Sequence, residues 1–253
     1  MRKLRQLFRS AKTHGRPGDA QIARKVRLFA SHRFIRGSGI EIGALHEPLP
    51  LFHGAAVRYV DALTSEQLRR AYPEVASQPQ VRVDLVADAE TLAPIADASV
   101  DFVIANHVLE HCRDPIRALQ SMLRVTAADG VLFLAIPDKR YTFDRKRAVT
   151  PYEHLVRDYF EGAAVSESQH YAEWRRDVLG LPEGDSASVD ELRAAHPDIH
   201  FHVWTQREIA ELLLNVQRDF AMRFEIELLA KNGSEVVAVL RKQKAEAEES
   251  RPT

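Results

Sequence analysis

Apolar residues along this chain fall into short blocks separated by polar stretches of helical spacing. Ile40-Glu41-Ile42-Gly43 reads as a strand running into a tight turn, and Val57 to Val60 as a second strand closing on Asp61. Val81 to Val86 is a third, Val100 to Ala105 a fourth and Val131 to Ile136 a fifth. The last two are continuous apolar runs, the pattern of strands buried on both faces. Between them, Ile22, Val26 and Phe29 mark a helix over 19–35, and a polar helix spans Thr64 to Ala71. Asp114-Pro115 caps a helix whose apolar stripe is Ile116, Leu119, Met122 and Leu123. The capping box Thr205-Gln206-Arg207-Glu208 opens another, with Ile209, Leu212, Leu213 and Val216 on its inner face. Phe224, Ile226 and Leu228 then alternate with glutamates, and Asn232-Gly233 turns the chain into Val236 to Leu240. Strands alternating with helices predict a doubly wound, mostly parallel α/β sheet, closed here by an antiparallel hairpin.

Residues 137–200 break the pattern. They are rich in charge, histidine and aromatics, with weak helical spacing near 151–160 and 166–179 and a loop at Leu181 to Ser186. A structureless loop of that length is implausible, so an insertion at about 138–200 is expected to cover the ligand edge of the sheet. The domain is expected over 37–241, with a disordered charged tail at 242–253. Composition is that of a globular protein: 45% of the 253 residues are hydrophobic and 28% charged. The single cysteine, Cys112, excludes an internal disulfide. No apolar run reaches the roughly 18 residues of a membrane span, and a cytoplasmic protein is expected. The net charge of -1 hides an asymmetry, because residues 1–36 hold eleven Lys/Arg against the one acid Asp19. That basic N-terminal helical arm is either a solvated chain end or a contact to an anionic membrane or nucleic acid. The rest carries no basic excess, which argues against nucleic acid.

The acids sit at telling places. Glu41, Asp61 and Asp88 each close a strand, and Asp61 follows Gly43 by 18 residues. That is close to the spacing at which such sheets offer a carboxylate to ribose hydroxyls. The residues Glu41-Ile42-Gly43, Asp61, Asp88-Ala89-Glu90, Val108-Leu109-Glu110-His111 with Asp114-Pro115, and Gly130 before Val131–Ile136 resemble the class I S-adenosylmethionine-dependent methyltransferases, in particular their type 11 group. The resemblance covers about residues 38–137 and implies a Rossmann-like, seven-stranded sheet with S-adenosyl-L-methionine as cofactor. It implies that Glu41 and Gly43 hold the methionine end, Asp61 the ribose, and Asp88 and Ala89 the adenine. Asn106 and His107 would line the methyl-transfer face. One departure stands out: the family's further glycines are replaced after Gly43 by Ala44-Leu45-His46-Glu47-Pro48.

His107-Val-Leu-Glu110-His111 also matches an inverted zincin pattern, but that needs a continuous helix, whereas here the pentapeptide follows a strand and Pro115 starts a new helix. No metal site is expected. The late histidines His154, His170, His196, His200 and His202 are ordinary surface or hydrogen-bonded side chains, or a pair at His200 and His202 that could invite a metal if extended, or, for His154 and His202, contacts to the substrate. His107 and His154 are the candidate proton acceptors. Asp138, Arg140, Tyr141 and His202 are the candidate substrate contacts, with Arg140 suited to a carboxylate or phosphate. Trp174 and Trp204 are expected to pack. The expected activity is methyl transfer to a small-molecule or saccharide acceptor, with resemblance of the Pro137–Asp144 segment pointing to surface-glycan modification. The competing expectation is a non-catalytic binding or regulatory module on a degenerate methyltransferase fold.

Overall fold

A computed structural model of the protein describes residues 19–73, 75–181, 189–195 and 198–244, with the side chains of 19–24 left aside. Residues 1–18 of the basic N-terminal arm, most of the 181–186 loop, His196 and the tail from 245 lie outside the described residues. Among the described residues, seven α-helices and seven strands follow in order: α1 Asp19–Phe34, β1 Ser38–Ile42, β2 Ala56–Asp61, α2 Ser65–Ala71, β3 Leu85–Val86, β4 Val100–Asn106, α3 Pro115–Val125, β5 Thr126–Pro137, α4 Tyr152–Glu161, α5 Ala164–Trp174, α6 Val189–Ala195, α7 Gln206–Asp219, β6 Phe224–Asn232 and β7 Glu235–Lys242. The strands form one sheet in the order β3-β2-β1-β4-β5-β7-β6, parallel except where β7 runs antiparallel to both of its neighbours. The chain leaves β1 toward β2 on one side and β4 toward β5 on the other, so the switch point lies between β1 and β4.

Alternation along the central strands feeds two cores. Val103 and Ala105 of β4, Leu132, Leu134 and Ile136 of β5, and Val236, Ala238 and Leu240 of β7 face α3, α4 and α7. Their neighbours Phe102, Ile104, Val131, Phe133, Ala135, Val237 and Val239 face the other way, onto Ala30 and Ile35. The second layer therefore begins within α1, before the boundary expected at residue 37. Gly39 shows why the centre of the sheet tolerates no side chain there, since an added Cβ would lie 2.3 Å from the Phe102 carbonyl oxygen.

The local signals hold. Thr205 and Glu208 form the capping box, Asp114 caps α3 with Pro115 in its first turn, and Gly233 takes φ +64° in the hairpin turn. The third strand is shorter than expected. Val81 donates to the Leu45 carbonyl, and Asp84 uses both its amide and its carboxylate on Tyr59, so only Leu85 and Val86 pair with β2. In the insertion, α5 stops at Trp174 and continues as a π-turn, Arg175–Leu179. No helix among the described residues is long and apolar enough to cross a membrane.

Candidate active site

The carboxyl ends of β1 and β4 carry the first group of expected residues. The Glu41 carboxylate is buried and accepts from the backbone N–H of Leu49 at 2.9 Å, while Asn106 Nδ2 lies 3.5 Å away. Burial pushes its pKa up to about 7, against the Leu49 amide, Arg27 and Asn106, which all favour the anion. The segment after Gly43, which lacks further glycines, folds back so that its own backbone caps this acid. Gly43 itself has φ +67°, and an added Cβ would meet Val108 Cγ2 at 3.2 Å. Asp61 ends β2 and accepts from Leu63 N at 3.1 Å, its pKa raised by burial and by Asp198. Asp88 is exposed and accepts from Glu90 N at 2.7 Å, with Ala89 packed against the core. Asp198 belongs to the expected insertion. It binds His111 Nδ1 at 2.8 Å and accepts from the Tyr72 hydroxyl.

His107 follows β4 with φ +55° and is clamped between Glu110, three residues on, and the distant Glu235. Its Nε2 lies 2.7 Å from Glu235 and its Nδ1 3.3 Å from Glu110. Glu235 also receives both Arg27 nitrogens and, at 2.5 Å, Asn232 Nδ2. The imidazole's pKa climbs to about 9 because these carboxylates outweigh burial, and Glu235 falls to about 2. An imidazolium with both nitrogens engaged has no lone pair for a proton, so the structure does not give His107 the acceptor role expected of it. The ring is 42% exposed, so solvent weakens the pairing relative to a buried one. His107 adds stability that is full below its unfolded pKa near 6.5 and is lost as pH rises through about 9. Glu235 adds stability that is lost as pH falls toward 2. The thermal midpoint is expected to decline between pH 6.5 and 9, with a shallower decline in Glu235→Gln. Scanning calorimetry across that range checks this, and parallel curves would contradict it.

His111 closes the turn after β4. Residues Leu109–His111 form a single 3-10 turn, and His111 Nδ1 also faces the Ile199 carbonyl at 3.1 Å. The other expected residues separate into two places. Asp138 is fully buried and holds Arg140 through Nε at 2.9 Å and Nη2 at 2.5 Å, while Lys231 reaches the Tyr141 hydroxyl at 2.6 Å. Arg140 remains half exposed, so it and Tyr141 stay available where Asp138 does not. His154 and His202 converge elsewhere, with His170 and Asp158. His202 is fully buried and stacks on Trp204, which removes it from direct contact with an acceptor. His154 Nε2 faces His170 Nε2 at 3.1 Å and its Nδ1 faces Arg157, so neither nitrogen is open. Trp174 and Trp204 are both buried.

The residues at the β1 and β4 ends fit a polar, partly cationic ligand. Asn106 Oδ1 is buried without a hydrogen-bond partner, and so are both ring nitrogens of His46, whose Nε2 has only Glu47 Oε1 at 3.6 Å. Buried polar atoms left this way take a partner that the chain itself does not supply, an ordered water or a bound group. A recess lined by Arg33, Gly37, Asp101, Gly130 and Arg241 lies at the opposite, amino-terminal edge and contains none of these residues.

Residues 37–134 match the family model described as a methyltransferase domain. A Mycolicibacterium smegmatis protein named "Probable S-adenosylmethionine-dependent methyltransferase" is 30% identical over 152 residues, 60% of this chain and 54% of that protein. The chain thus spans about half the length of this curated relative. A Rhodobacter sphaeroides structure bearing the name of a Zn-dependent alcohol dehydrogenase superposes with a TM-score of 0.52 at 16% identity, covering 91% of this chain and 92% of that one. A Methanococcus maripaludis structure described as an S-adenosylmethionine-dependent methyltransferase gives 0.49 at 14% identity, covering 96% and 93%. Identities this low speak to the fold alone. The match over residues 37–134 and the sheet order agree: that segment is similar to the methyltransferase domain, and S-adenosylmethionine is the cofactor the similarity implies.

Proposed function

We propose that this protein transfers a methyl group from S-adenosylmethionine to a small hydroxylated or acidic acceptor, with saccharides as the favoured class. The observation that carries the reading is the buried Glu41 carboxylate beside the unpartnered Asn106 Oδ1 at the switch point, inside the segment that matches the family. Glu41 and Gly43 would hold the methionine end, Asp61 the ribose, and Asp88 and Ala89 the adenine. When bound, the cofactor supplies an activated methyl on a sulfonium. The chain's own contribution is placement of the acceptor in line with it, the largest effect available without a dedicated base. His107, fixed between Glu110 and Glu235, acts as a charged positioning residue. Arg140 and Tyr141 follow β5 directly and offer a guanidinium and a ring to the acceptor, a combination suited to uronic or phosphorylated sugars.

Radiolabelled S-adenosylmethionine incubated with neutral, uronic and phosphorylated saccharides tests this. Label is expected in the charged sugars, with Arg140→Ala raising KM more than it lowers kcat. Cofactor binding with no transfer to any of these acceptors would favour the binding-module reading instead.

A further inference from the structure

The insertion holds a cluster that methyl transfer does not use. His154 and Asp158 lie one turn apart on α4, His170 comes from α5, and His202 from the extended segment before α7. Their donor atoms converge within 4.8 Å of one another. Asp158 Oδ2 lies 3.0 Å from His154 Nε2, 3.5 Å from His202 Nε2 and 3.9 Å from His170 Nε2. The edge of a zinc tetrahedron is roughly 3.3 Å for bonds of about 2.0–2.1 Å. Asp158 is 1% exposed and His202 not at all, yet both Asp158 oxygens and His202 Nε2 lack an aligned hydrogen-bond partner.

We propose that His154, Asp158, His170 and His202 bind one zinc ion, which fastens the insertion to the methyltransferase domain. Without a cation, a buried carboxylate faces three imidazoles with no other partner for its oxygens, and one metal ion would engage all four side chains. His202 Nδ1 lies 3.1 Å from the Cys112 carbonyl, and donating its proton there leaves the Nε2 lone pair turned into the cluster. Arg157 Nη2 sits 3.1 Å from His154 Nδ1, and this exposed guanidinium has to move away, since metallation at Nε2 leaves the proton on Nδ1. Three imidazoles and one carboxylate suit zinc, and four protein ligands close the site, which makes it structural. The ion would join α4, α5 and the His202 segment, which is anchored to the turn after β4 through Cys112.

The full chain, freed of any purification tag and stripped with chelator, is titrated with zinc sulfate. One equivalent is expected to bind, raising the thermal midpoint by roughly 5–10 °C at a hundredfold excess over Kd. Asp158→Asn and His170→Gln are each expected to weaken zinc by at least about 100-fold, whereas Glu110→Gln, in the neighbouring Glu110, His111 and His200 group, retains it. X-ray absorption on the zinc-loaded wild-type protein should show nitrogen and oxygen at about 2.0–2.1 Å and no sulfur at about 2.3 Å. This readout stands even where a variant fails to fold. Substoichiometric zinc, a sulfur shell from Cys112, or loss of zinc in Glu110→Gln with retention in Asp158→Asn would overturn the proposal.

Discussion

Asp144→Asn is expected to destabilise the protein by about 3–5 kcal/mol, the cost of leaving a buried ion unpaired. Arg147 has no exposed side-chain surface, and Asp144 has only 1%. The guanidinium donates to Asp144 Oδ1 at 3.1 Å, Glu173 Oε2 at 3.0 Å, the His200 carbonyl at 2.6 Å and the Phe201 carbonyl at 3.0 Å. His200 Nδ1 meets the other Asp144 oxygen at 2.7 Å. His200 and Arg147 keep the Asp144 carboxyl low against the effect of burial. Removing its charge leaves Glu173 as the one carboxylate on Arg147 and takes away the anionic partner of His200. Replacing both partners by apolar residues of similar size is expected to recover part of the loss. Arg207→Ala breaks only the exposed pair with Glu211 and should stay within about 0.5 kcal/mol. Urea unfolding midpoints at constant slope check the series, and a loss under about 1 kcal/mol in Asp144→Asn would contradict this account.

The second large effect is expected at Glu41. Glu41→Gln keeps the shape but removes the charge, and hydrogen bonds to charged groups contribute about 1.5–3 kcal/mol. S-adenosylmethionine affinity should therefore fall roughly 10- to 100-fold. The sign of the pH dependence follows from the raised pKa. In the free protein Glu41 holds its proton up to about pH 7, and a ligand ammonium favours the anion. Binding then releases a proton, so affinity should rise as pH climbs from 6 to 8 in the wild type and stay flat in Glu41→Gln. Calorimetry in two buffers of different ionisation heat reads that proton directly. Equal heats in both buffers at pH 6.5 would place Glu41 outside the ligand's reach.

The elements legible in the sequence were those with local causes. Asn232-Gly233 forces a hairpin, and Thr205 and Glu208 close a capping box within four residues. The continuous apolar runs at 100–105 and 131–136 had to be central strands, which located Asn106 and His107. Long-range pairing was not legible. Glu235 stands beside His107 across 128 residues and beside Arg27 across 208. Its one local signal was an acid opening an otherwise apolar strand. Asp138 was expected among the acceptor contacts because composition cannot show that it and Asp144 turn inward onto arginines. His154 and Asp158 at i, i+4 could be paired from spacing, but His170 and His202 join them only through the fold.

The most direct test is calorimetric titration of the wild-type chain with S-adenosylmethionine at pH 7.5. One site with a Kd in the micromolar range, released protons and weaker binding in Glu41→Gln would uphold the central claim. No heat at millimolar cofactor, with the chain shown folded, would contradict it.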